Sequence, residues 1–291
     1  MFLHPQLSAL SAILETGSFE AAAARLGVTP SAVSQRIRAL EERVGGPVLT
    51  RSSPPEATVL GARIALHSSG MARLDAELAD DLGGGDRLSL SIAVNADSLA
   101  TWFLPALSGH DRRLFRVLVE DQDHSVELLR RGEVAAAVTA RPEPVQGADC
   151  VALGTLRYIA TASPSFAERY FSEGLTAEAF SAAPALVFNE KDALQSDWAA
   201  ARTGRRVALP CHYLPSTRGF VEAAVLGIGW GMNPEPLVRD AIKEGRLVAL
   251  DPANPYDTPL YWQSTRVGSQ ALQPLTLAVR RAAAAMLYRT E

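Results

Sequence analysis

Two groups of residues in the 291-residue sequence have types and spacing suited to binding. The first lies between positions 29 and 51 and is mostly polar, with hydroxyl, amide and guanidinium side chains. Serine and glutamine can hydrogen-bond to base edges in the major groove of DNA, and arginine can contact guanine or a phosphate. This group therefore indicates duplex DNA as a partner, and a solvated helix face in a protein-binding bundle is the alternative. It comprises Thr29, Pro30, Ser31, Ser34, Gln35, Arg36, Arg38 and Arg51.

The second group consists of carboxylates that follow a predicted strand. In the segment VLVEDQD, Glu120, Asp121 and Asp123 lie close enough to repel one another unless a positive partner stands between them. A ligand with a protonated side chain, such as lysine or arginine, would supply that partner. A metal ion beside His124 and solvated surface acids are the alternatives. No metal site is predicted, because His124 is not at helical spacing from other ligands and no cysteine is near.

Other candidate ligand contacts lie where predicted strands end, which is where open α/β sheets bind ligands. The segment Asn95-Ala96-Asp97-Ser98 follows the first strand and opens a helix, so Ser98 and the helix amides could receive a ligand carboxylate. Ser216 and Thr217 occupy the same kind of junction further along the chain. The alternative is that Asp97 or Ser98 only caps its helix.

Two tryptophans and a threonine complete the candidate ligand site. Trp102 and Trp230 could pack against an aliphatic stem or a guanidinium group, and ordinary core packing explains them equally well. Thr139 ends the third predicted strand. Cys150 and Cys211 are too few for a disulfide framework and are interpreted as small buried hydrophobic residues.

The first group requires a helical N-terminal segment to position it. Apolar residues at helical spacing predict a first helix that ends at Thr16-Gly17. A second helix, Phe19 to Leu26, ends at a glycine, and Thr29 then caps a third helix with Pro30 at its first position. The following segment, PVLTRSSPPEATVLG, predicts a two-stranded wing with Arg51 at its base.

The rest of the chain divides into a linker and a region of alternating strands and helices. Alternating steps of four and three predict the seam of a coiled coil, in which His67 is a polar spacer, along Leu60, Ile64, His67, Met71, Leu74 and Leu78. The triplet Gly83-Gly84-Gly85 predicts a hinge. From Arg87 onward, strands alternate with helices, as in α/β domains.

Composition places the chain in an ordinary class of proteins. Its apolar share of 47% and charged share of 21% are usual for a globular protein. Its net charge of −4 argues against a general polyanion binder. No apolar run approaches the roughly 20 residues that span a bilayer, and no signal peptide is evident, so we expect the cytoplasm and no membrane partner. No catalytic motif appears in the context it needs, so we expect no enzyme activity.

Many N-terminal positions at fixed spacing match one known family. They are Phe19, Ala22, Ala23, Leu26, Thr29, Ser31, Ala32, Val33, Ser34, Ile37, Leu40, Glu41, Gly45, Val48, Leu49, Arg51, Thr58 and Gly61. With these residues the chain resembles the LysR-type transcriptional regulators. The resemblance implies an α+β multidomain fold: an N-terminal winged helix-turn-helix, a long linker helix and a two-lobed, periplasmic-binding-protein-like α/β effector domain. The implied boundaries are 1–58, 59–85 and 86–291, with lobe I near 86–160 and 266–291 and lobe II near 161–265.

Short segments of the effector region match one subgroup of this family. They are Asn95-Ala96-Asp97-Ser98, Thr101-Trp102-Phe103, Glu120-Asp121, Arg130-Arg131-Gly132, Gly229-Trp230-Gly231 and Leu260-Tyr261-Trp262-Gln263. With these segments the chain resembles the ArgP/LysG regulators of basic amino acid export. This resemblance implies L-lysine or L-arginine as effector, no cofactor, and control of an exporter gene. It also implies a double-stranded DNA operator, a homodimer or homotetramer, and RNA polymerase as a partner if the protein activates. The alternatives are a different small-molecule effector or a solute-binding module that does not bind DNA.

Overall fold

The computed structural model describes residues 5–81 and 88–289. The predicted glycine hinge and the side chain of Asp123 lie outside the described residues. By proximity, the chain divides into two compact units. Unit 1 contains residues 1–94, 109–151 and 262–277, and unit 2 contains residues 95–108, 152–261 and 278–291. The predicted domain and lobe boundaries remain predictions, because this division joins the N-terminal helices with part of the sheet.

Three helices form the start of unit 1. Together with the wing that follows them, they are called the head below. They are α1 (Pro5–Thr16), α2 (Phe19–Leu26) and α3 (Pro30–Val44). Ser18 and Thr29 cap α2 and α3 by accepting hydrogen bonds from the amides of Ala21 and Ala32. Gly27 adopts φ 64° at the end of α2, where a side chain would be strained. The helices enclose one apolar core that includes Leu10, Ile13, Ala22, Val33, Ile37 and Leu40.

The wing follows α3 as a short antiparallel pair. Leu49 bridges Ala57, and the amide of Thr50 donates to the carbonyl of Glu56 at 2.8 Å. Glu41 of α3 holds the wing in place by accepting a hydrogen bond from the amide of Val48 at 3.0 Å. The wing therefore has a fixed attachment to the helix that carries the candidate DNA-binding residues.

The linker helix α4 (Val59–Asp81) begins against the wing and packs on the head. Ile64 and Ala65 contact the head core, and the hydroxyl of Ser68 lies 3.2 Å from that of Ser11. Further along α4, Leu74 is 51% exposed and Leu78 is 49% exposed. The first half of α4 is thus part of the head, while the seam residues of its second half remain open to solvent in the single chain.

A close approach between α4 and the wing leads to a testable prediction. A Cβ atom at Gly61 would lie 1.8 Å from the carbonyl oxygen of Val48, so Gly61→Ala must displace either α4 or the wing. We expect the head to lose about 3 kcal/mol of stability or more, because overpacking against backbone cannot be relieved by a side-chain rotation. Thermal unfolding and operator binding would measure the change.

Gly46→Ala is the matched control, since its Cβ would meet only Leu60 at 3.6 Å, an ordinary contact. Equal effects of the two substitutions on stability would show that the seating of α4 on Val48 is not what matters.

The remainder of unit 1 is built on three parallel strands. Strand β1 (Leu88–Val94) pairs with β2 (Arg113–Val119) on one side and β3 (Ala136–Thr139) on the other. The helix α6 (Gln122–Arg131) covers them through a core that includes Val126, Leu128 and Leu129. Between β1 and β2 the chain forms a helical segment in unit 2, with a short α-turn, α5 (Ala96–Ser98), and then π and 3₁₀ turns over Leu99–Phe103 and Leu104–Leu107.

Long strands lead into unit 2. Strand β4 (Ala148–Ala162) pairs antiparallel with β7 (Gly231–Pro234) and β8 (Val248–Ala249), and β9 (Tyr256–Thr265) lies between β3 and β4 in the strand order β2-β1-β3-β9-β4-β7. Two short parallel strands, β5 (Ala185–Val187) and β6 (Cys211–Tyr213), form a second sheet. The helices are α7 (Pro164–Phe171), α8 (Ala177–Ala182), α9 (Leu194–Thr203), α10 (Thr217–Val225), α11 (Glu235–Lys243) and the closing α12 (Ser269–Met286).

Candidate DNA-binding and effector-binding residues

The third helix displays the candidate DNA-binding residues on an accessible face. Ser31, Gln35 and Arg38 are exposed, and Ser34 and Arg36 are half-buried. The opposite face, with Val33, Ile37 and Leu40, is buried in the head core. The helix therefore has a single polar face available to a partner, at the helical spacing that the sequence predicts.

The residues that begin α3 also shape its exposed end. Thr29 caps the helix and shares a 3.0 Å hydrogen bond with the hydroxyl of Ser31, and Pro30 occupies the first turn. Arg51 is exposed in the wing. A helix with a separate wing that carries an arginine suits DNA, because the helix can enter the major groove while the wing arginine reaches the backbone.

Asp97 is the most unusual of the candidate effector residues. Its carboxylate accepts a hydrogen bond from Tyr158 on Oδ2 at 2.7 Å and from Thr217 on Oδ1 at 2.7 Å. Burial raises the pKa of Asp97, although these two hydroxyls oppose the shift, and the charge of Asp192 adds to it. Burial and the neighbouring Asp97 also raise the pKa of Tyr158 well above its usual range. Among the described residues, no lysine or arginine pairs with Asp97.

The arrangement joins three segments of unit 2 that are far apart in sequence. Asp97 lies after β1, Tyr158 on β4 and Thr217 at the start of α10. Ser216, the residue before Thr217, caps α10 by accepting a hydrogen bond from the amide of Gly219. The structure thus brings Asp97 and Thr217 together, as two of the predicted contacts, and assigns Ser216 to helix capping.

Beside Asp97, several polar atoms are buried without a partner among the described residues. Asn95 and Ser98 are 8% and 0% exposed, and neither the Asn95 Oδ1 nor the Ser98 Oγ atom makes a hydrogen bond there. A buried polar atom without a partner costs roughly 1–3 kcal/mol, and such atoms concentrate at functional positions. Ser98 is therefore not a helix cap in this structure, which leaves its predicted role in ligand binding open.

Both candidate tryptophans are core residues. Trp102 is 1% exposed and packs edge-on against Phe103, and Trp230 is fully buried among Phe171, Phe180 and Trp198. The structure shows the core packing that the sequence left as an alternative. Neither indole N–H has a partner within the described part of the chain, so each could still donate to a polar group.

The predicted carboxylate cluster lies in unit 1. Asp121 caps α6 by accepting a hydrogen bond from the amide of His124 at 2.8 Å, and Glu120 is half-buried with its amide bonded to the carbonyl of Val94 at 3.3 Å. Asp123 belongs to the first turn of α6. Asp121 therefore has a structural role as the N-cap of α6, in addition to any contact with a ligand.

Thr139 forms part of a buried network that sequence reasoning did not find. Gln263 donates from Nε2 to the Thr139 hydroxyl at 3.2 Å and accepts from the amide of Val145 at 2.9 Å. The network braces the loop after β3 against β9. A single amide side chain 124 residues away gives no local pattern, so only the fold could reveal it.

Tyr158 is the main site residue that the sequence analysis missed. It lies inside a strand whose alternating burial explains a tyrosine without any further role. Its partner Asp97 is 61 residues away, and no periodicity links the two.

The cysteines require a correction. Both are free, Cys150 is half-buried, and Cys211 is exposed at the edge strand β6, so the interpretation of Cys211 as a buried hydrophobic residue is wrong. Desolvation nevertheless raises the pKa of both thiols, which makes them poorly reactive. The described residues contain no group of three or more His, Cys, Asp or Glu side chains that could hold a metal ion.

Comparison with known proteins identifies the chain. Residues 4–62 match the model of the bacterial regulatory helix-turn-helix protein, lysR family, and residues 83–285 match the LysR substrate binding domain. The chain belongs to the LysR family. The head is therefore a DNA-binding domain and the chain a transcriptional regulator, as the resemblance implied, and the predicted fold class is confirmed.

Individual LysR-type relatives align along almost the whole chain. LysG of Mycobacterium bovis is 43% identical over 288 residues, which cover 98% of this chain and 94% of the relative. The crystal structure of ArgP from Mycobacterium tuberculosis superposes with a TM-score of 0.87 at 42% identity, covering 100% of both chains. Full-length LysG from Corynebacterium glutamicum with bound effector Arg gives a TM-score of 0.74 at 38% identity, covering 98% and 99%.

These relatives are transcriptional regulators and not enzymes, in agreement with the expectation from the sequence. LysR-type regulators bind DNA operators and form oligomers, which confirms the coarse prediction for partners. None of the helices in the ranges 5–81 and 88–289 is both long and apolar enough to cross a membrane.

Proposed function

We propose that this LysR-type regulator senses a basic amino acid, L-lysine or L-arginine, and controls a gene for amino acid export. Two relatives support the choice of ligand: the LysG structure with bound effector Arg, and a regulator named for lysine export that is 40% identical over 287 residues. The protein would act in the cytoplasm as a homodimer or homotetramer, and it would contact RNA polymerase if it activates transcription.

The observation that carries the ligand proposal is the half-buried carboxylate of Asp97, which no lysine or arginine among the described residues neutralises. Two hydroxyls stabilise it, but hydrogen bonds from neutral groups offset only part of the cost of removing a charge from water. A cationic ligand group would offset the remainder, because an ion pair in a poorly solvated site is far stronger than in water. We therefore assign Asp97 as the partner of a ligand ammonium or guanidinium group, with Ser98 as a neighbouring polar contact.

The linker helix supports the proposed dimer. Leu74 and Leu78 continue the predicted seam, and both are about half exposed in the single chain. A second copy of α4 would bury them, and His67, which is exposed on the same seam, would be a tolerated polar position. Pairing of two heads would also explain how a chain of net charge −4 binds DNA with adequate affinity.

A thermal-shift screen over the twenty amino acids tests the ligand proposal. L-lysine and L-arginine should raise the melting temperature, because a ligand at about 100 times its Kd stabilises the native state by ~2.7 kcal/mol. Citrulline, which has the shape of arginine without its charge, is the control and should protect much less. Equal protection by citrulline or by neutral amino acids would contradict cation recognition.

The acidic cluster gives a separate prediction. If these carboxylates bind the cationic group of the ligand, as the sequence predicts, Glu120→Gln with Asp121→Asn should reduce the thermal shift with L-arginine. Asparagine is also a good N-cap, so α6 should remain intact. The control removes two carboxylates that are 80% and 85% exposed, through Glu178→Gln with Asp240→Asn. If both double variants keep the full shift, the acids near Glu120 are solvated surface groups.

A further inference from the structure

Helix α6 runs from the loop beside the end of β1 to the linker helix. Its first end follows Glu120, whose amide donates to the carbonyl of Val94 at the end of β1, three residues before Asp97. Its other end is Gly132, the C-cap, with φ 71°. At about 1.5 Å per residue, the ten residues of α6 span about 15 Å between these two points.

The contact at the far end leaves no free space. A Cβ atom at Gly132 would lie 2.3 Å from Cδ1, 2.8 Å from Cα and 2.9 Å from Cβ of Leu66 on α4. The end of α6 therefore rests against the backbone of the linker helix, and a flexible side chain cannot absorb a displacement. Leu66 is not one of the seam positions, so this contact and a coiled-coil partner can occupy α4 together.

Both ends of α6 are firmly attached. Its apolar face, with Val126, Leu128 and Leu129, is buried against β1 and β3. On the other side of the contact, α4 is fixed to the head by Ile64 and Ala65 and by the Ser11–Ser68 hydrogen bond. Packed elements of this kind pass on small displacements as rigid bodies, because close-packed interiors transmit strain.

We propose that α6 is the strut that couples effector binding to the head, and that the seat of Gly132 on Leu66 is its point of contact with the linker helix. This inference rests on the proposed effector site near Asp97 and adds the route by which the site acts. A ligand that shifts the end of β1 moves the loop at Glu120 and the whole of α6 with it. The displacement reaches α4 at Leu66 and turns α4 together with the head that is packed on it.

The test uses Gly132→Ala in the full-length protein, with L-arginine as probe and an operator selected from genomic fragments by the wild-type protein. Two quantities are measured: the thermal shift with arginine, and the ratio of operator dissociation constants, with the length of the protected footprint, with and without arginine. We expect the thermal shift to remain, while the ratio falls to within about twofold of one and the footprint stops responding, because typical coupling between sites is about 5- to 150-fold.

Gly109→Ala is the matched control, because Gly109 has φ 74° and a Cβ there would meet nothing within 4 Å. It reproduces the backbone strain without the contact, so it should keep the response to arginine. Should Gly132→Ala fail to fold, Leu66→Ala decides: it removes Cδ1, the Leu66 atom nearest to a Cβ at Gly132, without backbone strain. Because Cα and Cβ of residue 66 stay in place, it should reduce the response in part.

A full response in Gly132→Ala or Leu66→Ala would overturn the strut, as would an equal loss of response in Gly109→Ala. Loss of the thermal shift in Gly132→Ala would overturn it as well, since the substitution would then act on ligand binding itself. If arginine and lysine fail to stabilise the wild-type protein, the proposed effector is wrong. This result comes from the wild-type protein alone, so it is distinguishable from a failure of the strut, which is measured in the variants.

Discussion

Replacing both Arg36 and Arg38 with alanine should lower operator affinity at least about thirtyfold, because each arginine contact to a base or phosphate contributes ~1–3 kcal/mol. Both side chains lie on the polar face of α3, opposite the residues that form the head core. The slope of affinity against salt concentration should also become shallower, since fewer phosphates are neutralised. Fluorescence anisotropy with a labelled operator at several salt concentrations would measure both effects.

The control for this experiment is Arg280→Ala with Arg281→Ala. Both arginines are exposed on α12, and replacing them with alanine removes the same two positive charges from the protein. The control should bind the operator almost normally, and both double variants should keep the thermal shift with arginine. If the α3 variant keeps full operator affinity, α3 is not the recognition helix.

The second large effect is expected at Asp97. Asp97→Asn should weaken L-lysine and L-arginine binding by about a hundredfold or more, because loss of one partner of a buried ion pair costs ~3–5 kcal/mol. Asparagine has nearly the same shape and can still hydrogen-bond to Tyr158 and Thr217, so the fold should remain. Isothermal titration calorimetry would measure the loss. Asp197→Asn, at an exposed position of α9 in the same unit, is the control and should bind normally.

The same substitution should have the opposite effect on the stability of the ligand-free protein. Burial raises the pKa of Asp97, so the folded state holds its proton more tightly than the unfolded state does. The stabilising contribution of the protonated form is present at low pH and is lost as the pH rises through the raised pKa. Asp97→Asn should therefore raise the melting temperature near pH 7 relative to the wild type, and this advantage should shrink as the pH falls.

The affinity for a cationic ligand should also depend on the ionisation of Asp97, but it should increase as the pH rises. A cationic ligand requires the ionised form of Asp97, so wild-type affinity for arginine should decrease as the pH falls through the raised pKa. An affinity that stays constant from neutral to acidic pH, or a variant that binds arginine normally, would rule out Asp97 as the cation partner.

The local elements were the most predictable part of the fold. The caps Ser18 and Thr29, Pro30 at the start of α3 and the glycine after α2 are short-range signals, and the structure places each where the sequence predicts it. The predicted coiled-coil seam lies on one helix, the 23-residue α4.

Three elements were not predicted, and each has a physical reason. Strand β7, GMNP, consists of residues that normally mark turns, and tertiary packing overrides that preference because all four residues are buried. Strand β9 contains Pro259, which weakens the strand pattern. Helix α7 begins with Ser163 as cap and Pro164 in its first turn, a signal that the sequence does contain and that could have been used.

The candidate site was less predictable than the fold. The sequence identified Asp97 and Thr217 as separate candidates at strand ends, but only the fold brings Thr217 and Tyr158 to the two oxygens of one carboxylate. Long-range contacts between side chains leave no periodic trace. For the same reason, the clash that a side chain at Gly132 would cause with Leu66 could not be expected from the sequence.

The attachment of the first half of α4 to the head bears on how such regulators diversify. Since Ile64, Ala65 and Ser68 pack on the head, the proposed dimer would set the distance between operator half-sites largely from within residues 5–81. The choice of promoter would then depend on this N-terminal stretch, and the choice of metabolite on the effector domain that follows it. Recombination after α4 could give an existing promoter a new metabolic signal, on condition that the incoming domain keeps a glycine where Leu66 demands one.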